Sequence, residues 1–441
     1  VTFRHQLGRV VQVEEGQRVW RYEYNAQGDV ILAINPLQQE THYRYNERGQ
    51  CTEVRYPDGA VHTREWGREG ELLAECRPDG QVRRYAHDAL LRVTSVTDGE
   101  GHVTGYRYDD AGRVACITFP DGATREYRYN AYGKVTWFKD EAGKVTTYDY
   151  AAPLHLLTKK TLPDGSTLRY RYDNDHLQVS DIFNQKGERY RLRYTPGGLL
   201  SEEVGFDNVR TTYHYDAAGR LSEKREYGNR HDEAPFITRY ERNSTGKLTR
   251  KTLPDGQEEY FHYDAWGQLI KVSDTQGNVL AWEYNSAGQL TAEHTPVATQ
   301  RYGYDELTGE LTSHRLPDGQ RVEYRYINGQ LRGITLDDAP LVALRYDNTG
   351  RINERHQGNL LTTRYGYDAR GRLAGQQLKE VHDEAFHPRT LFTQAYRYTP
   401  DGELASAEGH HARRWHYDAT GRLTAAEWPS PYDTRHAQKT E

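Results

Sequence analysis

Histidine beside carboxylates is the residue set here best suited to chemistry, and the chain offers it twice. His231, Asp232 and Glu233 form one such segment, and His382, Asp383 and Glu384, with His387 beyond, form the other. Together such groups suit a divalent metal ion. A further trio, His410, His411 and His416, lies around one late turn. Solvated loop tips are the simpler reading of both segments, and nothing in the spacing of the trio makes it converge. Nucleophilic catalysis requires a Ser or Cys held by a base, yet no Gly-x-Ser-x-Gly elbow occurs and no helical pattern would carry one. The three cysteines, Cys51, Cys76 and Cys116, cannot all pair with one another and show no Cys-x-x-Cys spacing. No catalytic residue, metal ligand or cofactor site is therefore assigned.

The elements that would position these groups are set by a repeat. Arg21-Tyr-Glu-Tyr-Asn-Ala-Gln-Gly28 returns as His42 to Gly49 and as Gly105 to Gly112, with a period of about 21 residues. The second aromatic of each unit serves as its anchor. Tyr24, Tyr45, Tyr108, Tyr129, Tyr215, Tyr263, Tyr284, Tyr346, Tyr367 and Tyr417 are clear examples, and Trp66, His87 and Arg242 hold the same place in weaker units. Asp or Asn usually follows the anchor, Gly comes four residues after it, and Val, Leu or Ile six after it. Recurring carboxylates thus fall at turns, where Asp and Asn bond their own backbone. The glycines keep the hairpin period and bridge no strand to a helix, which argues against a phosphate loop.

Each unit reads as two strands and two turns. Alternation in Arg21-Tyr-Glu-Tyr24 sends both tyrosines to one face. A second turn closes the unit, often as Pro-Asp-Gly, at Pro57, Pro78, Pro120, Pro163, Pro254 and Pro317. Roughly 40 strands cannot stay in an open twisted sheet, so the array must coil. At about 4.8 Å per strand it extends on the order of 190 Å, enough for one turn of a ring about 60 Å across. The expected fold is all-β: a long antiparallel hairpin array spiralling into the wall of a hollow shell. Tyrosines stacking between strands would hold that single layer together. On ideal strands the even offsets of the cysteines from their anchors put all three on the tyrosine face, as small packed residues.

Composition agrees with a wall that lacks a thick core. The 441 residues are 36% hydrophobic and 28% charged but include 35 Tyr, too many for a disordered chain. With 58 basic and 64 acidic side chains interspersed, net charge −6, no nucleic-acid partner is expected. No apolar run approaches the roughly 18 residues of a helical span, so no membrane span is expected. Phe3 stands one period before Tyr24 and suggests a damaged unit. With no Met anywhere, the sequence reads as a piece of a longer polypeptide that begins mid-array. The array is assigned to residues 1–423 and an irregular tail to 424–441. Two long gaps between anchors, each holding one of the His-Asp-Glu segments, mark inserts at 228–236 and 380–392.

The units Tyr213 to Leu221 (YHYDAAGRL), Tyr365 to Leu373 (YGYDARGRL) and Trp415 to Leu423 (WHYDATGRL) closely resemble the YD repeat of the Rhs family. The likeness runs from residue 21 to 423. Such repeats also occur in shell components of insecticidal toxin complexes and in teneurins, and the frequent Gly-Arg-Leu is most similar to bacterial Rhs proteins. The resemblance implies a non-enzymatic β-cage enclosing a C-terminal toxin of the same polypeptide. It also implies type VI secretion in competition between bacteria, with residence in the bacterial cytoplasm before export. Secretion-spike proteins and the rest of the shell are the other implied partners. The Asp-Pro motifs that free the toxin in that family do not occur here, so self-cleavage residues cannot be placed. The alternative is an exposed adhesion module that binds a protein or carbohydrate through its outer surface or the two inserts.

Overall fold

The computed structural model describes residues 1–16, 18–228, 234–380, 389–428 and 438–440. Among them are 41 strands, from Thr2–Gln6 to Gln438–Thr440, and no helix. Each strand pairs antiparallel with the strands before and after it, and every strand-to-strand contact is between sequence neighbours. The sheet is a pure meander, and it is not closed: the first strand pairs only with the second, and the last, Gln438–Thr440, only with Leu423–Trp428.

The unit from Val103 to Thr124 shows why these residues fold this way. In the turn between Val103–Tyr108 and Val114–Thr118, the Asp109 carboxylate accepts from the amides of Ala111 and Arg113 at 3.0 and 2.9 Å. Gly112 takes φ +79, open to glycine at no steric cost, and donates to the Asp109 carbonyl at 2.9 Å. The next turn repeats the construction with Pro120-Asp121-Gly122: the Phe119 amide bonds the Ala123 carbonyl and Asp121 accepts from the Ala123 amide.

A bulge sits at almost every anchor. Tyr108 pairs with Val114 but Arg107 pairs with Cys116, leaving Ala115 as the extra residue. The same shift occurs at Tyr24, Tyr45, Tyr129, Tyr215 and Tyr367. Each bulge reverses the face of the residues beyond it. Cys51 pairs with Tyr45 and shares its face, whereas Cys76 pairs with Thr63 and Cys116 with Arg107, on the face opposite the anchors. The expectation of one common face for the cysteines fails for that reason.

The wall is thin. Only Val54, Cys116, Ala292, Leu344 and Ala407 are buried apolar residues among those described, and no large side chain is fully enclosed. The accessible surface is 27380 Å² for 51.0 kDa, against about 17,000 Å² for a compact monomer of that mass. The excess is what a single-layer wall exposes on its two sides.

The sheet coils onto itself more tightly than one 60 Å ring. The Asn348 amide bonds Glu100 Oε1, 248 residues away, and Lys144 Nζ bonds Asp401 Oδ2, 257 residues away. Glu100 lies in the turn after the tenth strand and Asn348 in the turn after the thirty-third; Lys144 follows the fourteenth and Asp401 the thirty-seventh. One coil is therefore 23 strands, with a perimeter of about 110 Å and walls about 35 Å apart. Repeated bulges, which bend and twist each hairpin, account for the stronger curvature. The 41 strands make nearly two coils around a space too wide for opposing side chains to meet.

Candidate functional site

The feature with functional weight is the wall itself, built from a bonded chain of Asp, Arg and Tyr side chains and closed by a seam between coils. In the unit at Asp109, the Arg113 guanidinium pairs with that carboxylate at 2.7 Å and lies over the ring of the next anchor, Tyr129, 4.6 Å from its centre. The Tyr129 hydroxyl then donates at 2.7 Å to the carbonyl of Val114, the residue after Arg113. Asp88, Arg92 and Tyr108 repeat the set, as do Asp347, Arg351 and Tyr367. The hydrogen bond from Arg113 holds the Asp109 carboxyl below the usual carboxylate range, and burial pushes the Tyr129 phenol up.

The anchors occupy equivalent places. Hydroxyls of Tyr45, Tyr215, Tyr284 and Tyr346 donate to carbonyls of Val30, Leu200, Leu269 and Leu331, each 15 residues back. Tyr24 and Tyr417, in less regular units, reach Val10 and Leu404. At Tyr263 the Lys247 ammonium stands 5.3 Å from the ring centre. Two of the weak anchors keep the donor: Trp66 Nε1 bonds the Cys51 carbonyl at 2.9 Å, and Arg242 bonds that of Leu221. Tyrosine rings thus meet an arginine and a carbonyl more than one another, although Tyr127 does contact Tyr129 and Phe138.

The two faces differ. Arg107, Arg128, Arg193 and Arg345, each preceding an anchor, stand exposed on one side. On the other, carboxylates join the tyrosines. Glu203 accepts from Tyr190 and Tyr213 at 2.6 Å each, and Glu75 accepts from Tyr85 at 2.8 Å with His62 Nε2 3.5 Å away. Burial lowers the His62 pKa, which favours the neutral imidazole. Sequence reading missed both carboxylates, although a Glu ten residues before a Tyr, on the neighbouring strand, was a usable signal.

At the seam, turns of one coil meet turns of the next. Arg370 is its most enclosed cation: Nε lies 2.7 Å from Asp121, Nη1 donates to the Pro400 carbonyl, and the guanidinium covers the Phe119 ring at 4.4 Å. Arg125, over the same ring, pairs at 2.6 Å with the buried Glu141. Arg18 donates to the Ser286 carbonyl at 2.8 Å and lies over Trp266. No sequence signal singles out the partners Arg370 and Asp121 or Arg18 and Ser286, because the coil's curvature brings them together.

Among the described residues the remaining candidates do not gather. His231 to Glu233 and His382 to His387 lie outside the described residues. His410 and His411 flank Phe392, while His416 pairs with Glu427 at 3.2 Å. Cys51, Cys76 and Cys116 are free thiols. No cluster of three or more His, Cys, Asp or Glu suited to a metal is present among the described residues, and no helix there is long and apolar enough to cross a membrane.

The RHS Repeat family model matches residues 24–61, 87–124, 242–279, 263–300 and 284–321. The chain is 27% identical over 288 residues to Double-stranded DNA deaminase toxin A of Burkholderia cenocepacia, covering 60% of the chain and 20% of the relative. It is 27% identical over 256 residues to Toxin protein Tse5 of Pseudomonas aeruginosa, 53% of the chain and 18% of that protein. Human Teneurin-4 is 24% identical over 306 residues, 61% of the chain and 10% of its own length. The chain thus spans about a fifth or less of these relatives. Among solved structures, the crystal structure of TcdB2-TccC3-Cdc42 superimposes with a TM-score of 0.70 at 13% identity, over 97% of this chain and 30% of that one. TcdB2-TccC3 gives 0.62 over 98% and 30%. Periodic units, a coiled single-layer sheet and these likenesses agree: the chain belongs to the Rhs, or YD-repeat, family.

Proposed function

We infer that this chain is wall: a non-enzymatic Rhs-type shell that encloses a toxin segment of the same polypeptide until delivery to a competing bacterium. One observation carries the reading. A 41-strand meander coils back on itself every 23 strands and meets itself at the ends of its hairpins, so what it makes is enclosed volume. Two relatives bear toxin names, and the chain covers only a fifth of each, which leaves ample length in such proteins for a cargo. The wall is assigned to residues 1–423. Residues 424–441 follow as a tail that still adds strand pairing at Leu423–Trp428. Tyrosine anchors hold successive hairpins in register and need no cofactor. Export through type VI secretion, with a spike protein as partner, rests on the family resemblance.

The experiment is protease challenge of the full gene product. Enclosure predicts a cargo segment that survives protease while a separately expressed cargo domain is digested. Digestion of both at one rate would overturn the reading.

A further inference from the structure

We propose that the seam between coils is a salt-sensitive latch, along which the shell parts while its hairpins stay folded. The proposal deepens the shell reading and rests on it for its purpose, the passage of cargo.

Two kinds of joint hold the wall. Within a coil, neighbouring strands share a continuous backbone ladder. Across the seam no backbone-to-backbone hydrogen bond is found among the described residues. What crosses it is electrostatic: Lys144 to Asp401 at 2.7 Å, Arg370 to Asp121 at 2.7 Å, the Asn348 amide to the Glu100 carboxylate at 2.8 Å, and Arg18 to Gln268 and to the Ser286 carbonyl. Single rings lie beneath two of these cations, Phe119 beneath Arg370 and Trp266 beneath Arg18.

The seam is also loosely filled. A cavity of about 680 Å³ opens between the turns at Phe119 and Arg370, one of about 440 Å³ between those at Asp58 and Leu307, and one of about 400 Å³ between those at Pro163 and Arg422. Each is lined from both coils. Charge pairs bordering gaps roomy enough for water and salt ions weaken as the screening length falls, from about 10 Å at 0.1 M salt to about 3 Å at 1 M. Ladder bonds inside the sheet are not screened in this way, so the two joints separate in their response to salt.

Gly99 offers a probe without charge. A Cβ there would collide with the Asn348 carbonyl across the seam, yet Gly99 is not among the glycines with positive φ, so Gly99→Ala disturbs the seam alone.

The experiment is hydrogen exchange on the full protein at about 0.1 M and about 1 M salt, with far-ultraviolet circular dichroism as a monitor of the sheet. High salt is expected to speed exchange several-fold at the turns 98–101, 119–122, 347–350 and 368–371 and to leave Val103–Tyr108 unchanged. Gly99→Ala and Lys144→Glu should show fast seam exchange already at low salt, and adding Asp401→Lys to Lys144→Glu should restore protection. Seam exchange independent of salt, or loss of sheet signal together with the seam, overturns the latch. Gly99→Ala decides the matter if the charge variant does not accumulate. Cargo that resists protease in every condition while the seam stays shut would sink the latch and leave the shell standing. Cargo digested at low salt would sink the shell reading, and seam exchange would still report on the latch.

Discussion

The guanidinium of Arg113 lies over the ring of Tyr129, 4.6 Å from its centre, while the hydroxyl of that tyrosine bonds the carbonyl next to the same arginine. One side chain is covered on its face and tied at its tip by two consecutive residues of the preceding hairpin. Tyr129→Phe removes the tip bond and leaves the Val114 carbonyl short of a partner, which should cost about 1 kcal/mol. Arg113→Ala removes the cover and should cost about the same. The double variant should cost less than the sum, because each change loosens the geometry the other bond needs. Denaturant unfolding of the four proteins measures the coupling, and strict additivity would contradict a shared clamp.

Leu91 sits where other units carry glycine, and it keeps the left-handed backbone with φ +61. A leucine pays steric strain there, and with 46% of its surface exposed it recovers little by packing. Leu91→Gly should therefore stabilise the chain by about 1 kcal/mol, and Gly112→Ala, the opposite change at an equivalent turn, should destabilise it by a similar amount. Thermal unfolding of both variants checks the pair of signs.

Stability should fall at both ends of the pH scale for separate reasons. Asp109, Asp216 and Asp368 have lowered pKa values, through bonds from Arg113 and Arg220 and, at Asp368, through bonds from Arg372 that outweigh burial. Their contribution is present above about pH 4, the unfolded value, and is lost as pH drops below it. Tyr129, Tyr215 and Tyr367 are raised by burial, so their contribution is present below about pH 10 and is lost as pH climbs past it. His62, lowered by burial, adds a shallow decline below about pH 6.5. Urea midpoints across the range test this, and a midpoint unchanged in strong alkali would contradict the tyrosine part.

How much of this was legible follows from the range of each interaction. The hairpin period, anchors such as Tyr45 and Tyr367 and both turn types are local, and their residues announce themselves within one unit. The face of Cys76 and Cys116 was misread because the bulge beside each anchor inserts one residue, a shift that alternation alone does not display. Coil size was misread because curvature accumulates over 23 strands from small bends in each. Arg370 and Asp121 are partners across that accumulated curve, and neither the Ala-Arg-Gly around one nor the Pro-Asp-Gly around the other hints at it.

Glu203 receives two phenols at once, and its removal gives the most localised test of the tyrosine face. The bond to this carboxylate, with burial behind it, pushes Tyr190 up to about 12, and burial together with the same carboxylate raises Tyr213 further. The two hydroxyls donate to different carboxylate oxygens, so a neutral amide at this position accepts from one phenol through its oxygen, donates to the other through its NH2, and no longer favours the protonated phenols by charge. Glu203→Gln should therefore bring the Tyr190 titration down toward the ordinary value of about 10 while the fold persists. Glu203→Ala leaves two half-buried donors unmatched and should cost about 2 kcal/mol. An ultraviolet pH titration separates the cases, since two phenols that titrate late in the parent protein should ionise earlier in the Gln variant. Unchanged late titration would mean that burial alone holds those protons and that Glu203 is incidental to the wall.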